Sequence, residues 1–147
     1  MVEIIYPYLP ENRKFKFVKE DNSYMLAAKE ISSKSGCVLQ ATGAVLVKNN
    51  RIIGRGTNAG KRVDKCPRVE KGSKTGEDYY LCKEICLQEG HAEAQAIKNA
   101  QEDTKGADLY LYGHWWCCRD CWSKMIKADV KDVYLLENAY EKFNFRK

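Results

Sequence analysis

The spacing of apolar positions predicts a helix and then a hairpin in the first part of the chain. Apolar residues recur at helical spacing between Asp21 and Ser35, which predicts an amphipathic helix. Cys37–Val47 and Arg51–Gly56 are rich in β-branched and apolar residues and are predicted to be strands. Asn49 and Asn50 lie between them and form a turn signal, so the two strands are expected to pair antiparallel.

Helices alternate with strands in the last part of the chain. The predicted strands are Asp108–Tyr112 and Val130–Leu136, and the predicted helices are His91–Ala100, Cys118–Ala128 and Glu137–Phe143. The apolar face of the helix from Cys118 is expected to hold Trp122, Met125 and Ile126. This alternation favours parallel pairing, so the predicted fold is α/β, with a mixed sheet of about five strands and helices on both faces.

Composition narrows the class of protein. The chain has 147 residues, of which 44% are hydrophobic and 31% charged, so we expect one globular domain over residues 1–147 rather than a disordered chain. No apolar run reaches the length of a membrane span, and the first residues lack the pattern of a signal peptide. We therefore expect a cytoplasmic protein that has no membrane partner and keeps its thiols reduced.

The net charge of +5 is concentrated in one predicted loop. Residues 61–74 hold six cations and two acids, a local excess of four positive charges, within an insertion at about 57–88 that also contains cysteines. Such a loop suits a nucleotide phosphate or a nucleic-acid backbone. The competing interpretation is a solvated loop without a partner.

The chain contains seven cysteines and two histidines, which are the next indication of its chemistry. Six of the cysteines and both histidines lie between Cys66 and Cys121. An odd number of cysteines cannot pair fully within one chain. In a reducing compartment, such a cluster indicates metal ligands or catalytic groups before disulfides.

One combination of residues within this cluster indicates zinc chemistry. His91 lies at one predicted helix start, and Cys118 and Cys121 lie at another. One imidazole and two thiolates leave a tetrahedral position open for water, which is the arrangement of a catalytic zinc site. Glu93 can then exchange protons with that water. Alone, the cysteines could be a redox pair or half a zinc knuckle, and His91 a packed side chain, but the combination matches the signature of nucleobase deaminases.

At these residues the sequence resembles the cytidine and deoxycytidylate deaminase superfamily, and it is most similar to the deoxycytidylate (dCMP) deaminase branch. The resemblance covers roughly residues 22–143. The segments that carry it are Gly43–Lys48, Arg51–Asn58, His91–Glu93, Leu111–Cys121 and Val130–Tyr134.

The resemblance implies a three-layer α/β/α sandwich of the cytidine deaminase type. It implies that His91, Cys118 and Cys121 bind catalytic Zn²⁺, that Glu93 shuttles protons and that Asn58 holds a deoxyribose. The implied reaction is hydrolytic loss of ammonia from C4 of a cytosine nucleotide, dCMP to dUMP. It also implies a homo-oligomer.

Three departures from the family pattern border the expected base pocket. Cys117 stands where the family has proline, Gln95 stands where it commonly has asparagine, and residues 112–116 bring bulky rings to the second motif. The substrate therefore stays open among dCMP, CMP, deoxycytidine, a modified cytosine and a guanine-type base.

Several further residues are candidates for substrate contact: Ala92 beside the ligand histidine, Arg55 and Lys61 for the phosphate, His114 and Trp115 for base stacking, and Tyr140 over the nucleotide. The alternatives are solvent exposure for the cations and core packing for the rings. Cys66, Cys82 and Cys86 could hold most of a second, structural zinc, as some members of the branch do, or could be free thiols.

Two other functions compete with a nucleotide deaminase. An editing deaminase would act on a base in single-stranded nucleic acid, using the basic loop as a groove and the tryptophans as a stacking platform. A non-catalytic zinc module would use the cysteines structurally, and Glu93 beside an open zinc site argues against it.

Overall fold

The computed structural model describes residues 5–35, 41–58 and 91–144. Apart from Thr57 and Asn58, the predicted insertion at about 57–88 lies outside these residues, and with it Lys61, Cys66, Cys82 and Cys86. The organisation of residues 1–147 as a single domain stays a prediction.

Nine helices and strands follow one another in the described residues. The strands are β1 (Phe15–Val18), β2 (Gly43–Lys48), β3 (Arg51–Thr57), β4 (Asp108–Tyr112) and β5 (Val133–Leu136). The helices are α1 (Ser23–Ser32), α2 (Ala92–Lys98), α3 (Arg119–Lys127) and α4 (Ala139–Phe143). No helix in this part of the chain combines the length and the apolar composition that crossing a bilayer demands.

The five strands form one mixed sheet in the order β1-β5-β4-β2-β3. β2 pairs antiparallel with both β3 and β4, whereas β5 pairs parallel with β4 and β1. The predicted hairpin is confirmed, and Asn49 and Asn50 both adopt positive φ in its turn, as a two-residue type I′ turn requires. β1 was not predicted from the sequence.

Helices cover both faces of the sheet, which confirms the predicted three-layer architecture. A Cβ added at Gly43 of β2 would meet the backbone of α1, whereas one added at Gly54 or Gly56 of β3 would meet the backbone of α2. Because side chains alternate along a strand, these glycines identify the two faces. α3 lies beside α2 on the second face. There the Trp122 ring of α3 packs against the ring of Phe15, with the ring centroids 5.6 Å apart.

The helix caps follow from the local sequence. Asn22 caps α1, because its Oδ1 accepts hydrogen bonds from the backbone N–H groups of Tyr24 and Met25, each at 3.0 Å.

Trp122 and Met125 of α3 are buried as predicted. Ile126 is 42% exposed, so its predicted place on the apolar face was wrong.

Candidate active site

The N-termini of α2 and α3 bring together three side chains of the types that bind metals. His91 is the N-cap of α2, Cys118 is the N-cap of α3, and Cys121 lies in the first turn of α3. The Nδ1 atom of His91 lies 3.2 Å from the Sγ of Cys121 and 3.3 Å from the Sγ of Cys118. The three ligand atoms all lie within 4.8 Å of one another.

This geometry fits a zinc ion. In a tetrahedral site, Zn–N bonds of about 2.0–2.1 Å and Zn–S bonds of about 2.3 Å place nitrogen and sulfur about 3.6 Å apart. The nitrogen–sulfur distances of 3.2 and 3.3 Å need only a small outward adjustment to reach that value. The donor set of one imidazole and two thiols is also one that zinc prefers.

Close backbone packing sets the position of His91 and Glu93. A Cβ at Gly56 would lie 2.5 Å from the carbonyl oxygen of Ala92, which stands between those two residues in the chain. Only glycine allows β3 and the first turn of α2 to approach so closely. The sheet therefore fixes the end of α2 that carries these two side chains.

A second glycine shapes the approach to the cysteines. Gly113 follows β4 and has a φ of 101°, a conformation that a side chain would strain. A Cβ there would also clash with the backbone of Ala41 and Thr42. The chain turns at this point and reaches Cys118 five residues later, on the second face of the sheet.

The two site cysteines form an asymmetric pair. The pKa of Cys118 is lowered to about 4, first by its hydrogen bond with Cys121 and then by His91, although burial opposes this change. The same hydrogen bond, together with burial, raises the pKa of Cys121. Cys118 also accepts a hydrogen bond from the backbone N–H of Cys121 at 3.4 Å. The start of α3 thus stabilises a thiolate, which is the form that binds metals.

The pKa of His91 is raised, whereas that of Cys118 is lowered. Burial alone would lower its pKa, but the hydrogen bond to Cys118 and the negative charge of Glu93 outweigh burial and raise it. The imidazole is therefore held among groups that carry or can carry negative charge.

Glu93 is a buried carboxylic acid, with only 4% of its surface exposed. Burial raises its pKa, while the charge of His91, its own backbone N–H and the thiol of Cys117 act in the opposite direction. Cys117 is fully buried, and its pKa is raised well above the ordinary value, first by burial and then by the neighbouring Glu93. Each of these two buried groups therefore influences the pKa of the other.

Asn58 lies at the end of β3, with 9% of its surface exposed. Its Oδ1 accepts hydrogen bonds from the hydroxyl of Ser35 at 2.5 Å and from the backbone N–H of Thr42 at 3.1 Å. These contacts fix the amide plane of Asn58. The structure does not test the predicted contact with a deoxyribose.

The aromatic candidates form a connected group. The Trp115 ring packs against Tyr140 of α4 with centroids 4.9 Å apart, and against Tyr6 at 6.0 Å. His114 is half-buried, and its Nδ1 accepts from the backbone N–H of Trp115 at 3.0 Å. Trp115 is 6% exposed, so it makes core contacts, and its stacking role with a base stays a prediction.

Ala92 and Arg55 are the two remaining candidates for substrate contact among the described residues. Ala92 is fully buried in the first turn of α2. Arg55 is exposed on β3, and because it alternates with Gly54 and Gly56 it lies on the face opposite α2. The roles of both residues in binding stay predictions.

Sequence reasoning missed two contacts at this site: the bond from Ser35 to Asn58, and the packing of Tyr6 on Trp115. Both contacts join residues that are distant in the chain, so no local pattern in the sequence indicates them.

The fold and the site together define a class of protein, an α/β sandwich that presents a histidine and two cysteines at the starts of adjacent helices, with a buried glutamate two residues after the histidine. The family described as "Cytidine and deoxycytidylate deaminase zinc-binding region" matches residues 18–137. The chain belongs to this family.

Two relatives in yeasts share this region. The deoxycytidylate deaminase of Schizosaccharomyces pombe is 30% identical over 119 residues, which cover 77% of this chain and 35% of that protein. The deoxycytidylate deaminase of Saccharomyces cerevisiae is 29% identical, over 77% of this chain and 36% of that protein. The chain therefore spans about a third of the length of these curated relatives.

Solved structures resemble the chain over more of their length. The dCMP deaminase of cyanophage S-TIM5, in complex with dCMP and dUMP, has a TM-score of 0.55 and 29% identity over 77% of each chain. Its apo form has a TM-score of 0.54 and 25% identity over 81% of this chain and 85% of that one. These neighbours confirm the cytidine deaminase-like fold expected from the sequence.

Proposed function

We propose that this chain is a zinc-dependent deaminase that hydrolyses a cytosine nucleotide, converting dCMP and water into dUMP and ammonia. The observation that carries the proposal is the burial of Glu93 beside the group formed by His91, Cys118 and Cys121. A structural metal site has no use for a buried carboxylate, whereas a hydrolytic site needs one to move protons. Membership of a zinc-binding deaminase family supports the same proposal.

Three side chains would hold the metal. The Nδ1 of His91 and the sulfur atoms of Cys118 and Cys121 form the donor set, and the lowered pKa of Cys118 favours the thiolate form. When bound, zinc lowers the pKa of water to about 7 and so supplies a nucleophile at neutral pH.

Glu93 would move the protons of the reaction. Its carboxylate takes a proton from the attacking water and delivers it to the ring nitrogen next to C4, and a further proton then passes to the amino group. The water oxygen becomes the C4 carbonyl oxygen, the bond between C4 and nitrogen breaks, and ammonia leaves. The burial of Glu93 excludes bulk water from this transfer.

The choice of dCMP rests on likeness to named proteins. Both yeast relatives are deoxycytidylate deaminases, and the cyanophage enzyme binds dCMP and dUMP. The proposal also includes Asn58 as the residue that holds the sugar, and a homo-oligomer in the cytoplasm. A second, structural zinc on Cys66, Cys82 and Cys86 stays a prediction about residues outside those that the structure describes.

A substrate panel tests the proposal. Ammonia release is measured with cytosine nucleosides, their mono- and triphosphates, a guanine nucleotide and short single-stranded oligonucleotides, and bound zinc is measured by elemental analysis. We expect the highest kcat/KM with dCMP. Activity confined to oligonucleotides would favour an editing deaminase, and zinc content without ammonia release from any compound would favour a structural zinc module.

The two histidines of the chain provide a matched pair for the metal assignment. His91→Ala removes a ligand and is expected to lower the affinity for zinc at the catalytic site and to abolish turnover. His114→Ala should keep the affinity, because His114 lies outside the group of three ligand atoms. Equal zinc affinities in the two variants would contradict the assignment of His91.

A further inference from the structure

Two hydrogen bonds hold the side chain of Asn58 just beyond the end of β3. Its Oδ1 accepts from the hydroxyl of Ser35 at 2.5 Å and from the backbone N–H of Thr42 at 3.1 Å. All three residues are buried. An amide oxygen has two lone pairs, so the two donors use the accepting capacity of this atom.

These bonds determine which way the amide of Asn58 faces. A backbone N–H can only donate, so the amide atom beside the N–H of Thr42 is the oxygen and not the nitrogen. The Nδ2 atom therefore lies on the side of the amide that faces away from Ser35 and Thr42. It carries two N–H donors, so it can donate to a ligand while it keeps one bond within the protein.

Neighbouring segments hold the backbone of both donor residues. The backbone N–H of Ser35 donates to the carbonyl oxygen of Ser32 at 3.0 Å, which adds a further turn after the last residue of α1. Thr42 packs against Gly113, where an added Cβ would lie 3.0 Å from the Cα of Thr42. The orientation of the Asn58 amide is thus set by contacts from the end of α1 and the start of β2.

β3 runs towards the N-terminus of α2, where the proposed histidine ligand lies. An added Cβ at Gly54 would meet the carbonyl oxygen of Ala96, in the middle of α2. An added Cβ at Gly56 would meet the carbonyl oxygen of Ala92, in the first turn. Asn58 comes two residues later and so lies near the start of the helix, as a residue that holds the sugar of a bound nucleotide must.

We propose that Ser35 is a positioning residue for substrate binding, whose hydroxyl holds the Asn58 amide with its N–H donors directed at the sugar hydroxyl of the nucleotide. This inference rests on the proposed function and on the sugar contact proposed there. It adds the polarity of that contact, in which the protein donates and the sugar oxygen accepts. Ser35 acts only through Asn58 and is not part of the metal-binding group of His91, Cys118 and Cys121.

Steady-state kinetics with two substrates test the inference. The second substrate is dideoxycytidine monophosphate (ddCMP), in which hydrogen replaces the one free hydroxyl of the deoxyribose. Ser35→Ala removes the donor, and we expect kcat/KM on dCMP to fall about fivefold, the effect of one hydrogen bond of ordinary net strength. KM should carry this change, because the sugar is bound equally in the ground state and the transition state. On ddCMP the same substitution should leave kcat/KM unchanged.

Two variants of nearly equal shape isolate the hydroxyl. Threonine and valine differ in that only threonine carries a hydroxyl donor. Ser35→Thr should keep most of the kcat/KM on dCMP, whereas Ser35→Val should lose at least as much as Ser35→Ala. The inference is overturned if Ser35→Thr and Ser35→Val are equally impaired, if Ser35→Ala keeps the wild-type kcat/KM, or if its losses on dCMP and ddCMP are equal.

Ser32→Ala is a matched control for the loss of a buried hydroxyl. Ser32 is 6% exposed, against 7% for Ser35, but its hydroxyl donates to the carbonyl oxygen of Lys29 in the same helix at 2.5 Å. Ser32→Ala should leave kcat/KM on both substrates unchanged. A loss on dCMP as large as that of Ser35→Ala would assign the effect to the end of α1 as a whole and would contradict a specific role for Ser35.

Calorimetric binding in the Glu93→Gln background gives a readout that does not depend on turnover. Ser35→Ala should raise the Kd of dCMP about fivefold and leave that of ddCMP unchanged. Combined with Asn58→Ala, it should weaken dCMP binding no further than Asn58→Ala alone, because Ser35 acts through Asn58. A further loss in the combined variant would contradict that route.

The substrate panel separates failure of this inference from failure of the proposed function. If the wild-type protein releases no ammonia from any compound, the proposed function fails and the positioning role fails with it. If the wild type deaminates dCMP but Ser35→Ala has the wild-type KM and Kd, only the positioning role is overturned.

Discussion

On the face of the sheet that α1 covers, three tyrosine rings pack against one another, whereas the face that α2 and α3 cover holds the buried acid and the thiols. The rings of Tyr110 and Tyr134 stack with centroids 4.5 Å apart and planes within 5°, and Tyr24 lies 5.2 Å from Tyr110. We call these three residues the tyrosine face. The site face is the one that carries His91, Glu93 and the cysteines 117, 118 and 121.

The two faces both contain titratable groups, but these groups differ in their charge at neutral pH. Burial, followed by the neighbouring Tyr134 and Asp108, raises the pKa of Tyr110 to about 12, so its hydroxyl stays neutral and its ring packs. On the site face the pKa of Cys118 is lowered to about 4, and a thiolate lies close to a buried acid. Buried charge is unfavourable for folding, so its concentration on one face indicates function rather than stability.

Among the variants that test the contrast between the two faces, Glu93→Gln is expected to have the largest effect. Glutamine has nearly the same shape but cannot take a proton, so we expect kcat on dCMP to fall by about 10²–10⁴-fold. Zinc content should stay at the wild-type level, because the ligand atoms of the metal-binding group belong to other residues. The melting temperature should not fall, since the variant no longer buries an acidic group.

Kinetics, elemental analysis and thermal unfolding of the same preparations check this prediction. A Glu93→Gln protein with wild-type kcat would remove Glu93 from the proton transfer. A large fall in melting temperature would show that the acid stabilises the fold, and the contrast between the two faces would then disappear.

Local patterns in the sequence predicted most of the fold, but they did not indicate β1. The helices and the hairpin follow from spacing and turn residues that lie close together in the chain. β1 spans only Phe15–Val18, and its parallel partner begins at Val133. Four residues carry little periodic signal, and no local pattern identifies a partner so distant in the chain. Ile126 was misplaced for a related reason, because spacing shows that a helix is amphipathic but not how much of its apolar side the neighbours cover.

The same distinction applies to the site. The cysteines three residues apart and the histidine two residues before Glu93 are local motifs, and the structure brings those side chains together. The bond from Ser35 to Asn58 joins residues that are far apart in sequence. It depends on how the end of α1 packs against the end of β3, which local sequence patterns do not show.

An intermediate effect is expected from alanine at the two glycines of β3 beneath α2. A Cβ at Gly56 would lie 2.4 Å from the backbone N of Ala96 and 2.5 Å from the carbonyl oxygen of Ala92 in the first turn of α2. A Cβ at Gly54 would meet the carbonyl oxygen of Ala96 at 2.3 Å and then Ala100, beyond the C-terminal end of the helix. Both variants should lose about 1–3 kcal/mol of stability through overpacking. Only Gly56→Ala should also weaken zinc affinity or kcat, by about tenfold or more, because it displaces the end of the helix that carries His91 and Glu93.

Chemical denaturation, zinc titration and kinetics of the two variants measure this difference. If Gly54→Ala impairs zinc binding as strongly as Gly56→Ala, the position of the N-terminus of α2 is not what controls the site. If neither variant is destabilised, the close packing of β3 against α2 is not required for the fold.

The smallest expected effect concerns the tyrosine face and alkaline pH. The pKa of Tyr110 is about 12 in the folded protein, against 10.0 for an unperturbed tyrosine. Between pH 10 and 12 the unfolded chain therefore releases the Tyr110 proton while the folded protein retains it. The stability contributed by the neutral hydroxyl is complete below pH 10 and is lost as the pH rises towards 12. Tyr110→Phe removes this contribution, so its melting temperature should fall less steeply than that of the wild type across this range, while kcat at neutral pH stays unchanged. Parallel melting curves would show that Tyr110 does not retain its proton on folding, and a changed kcat would show that the tyrosine face and the site face are coupled.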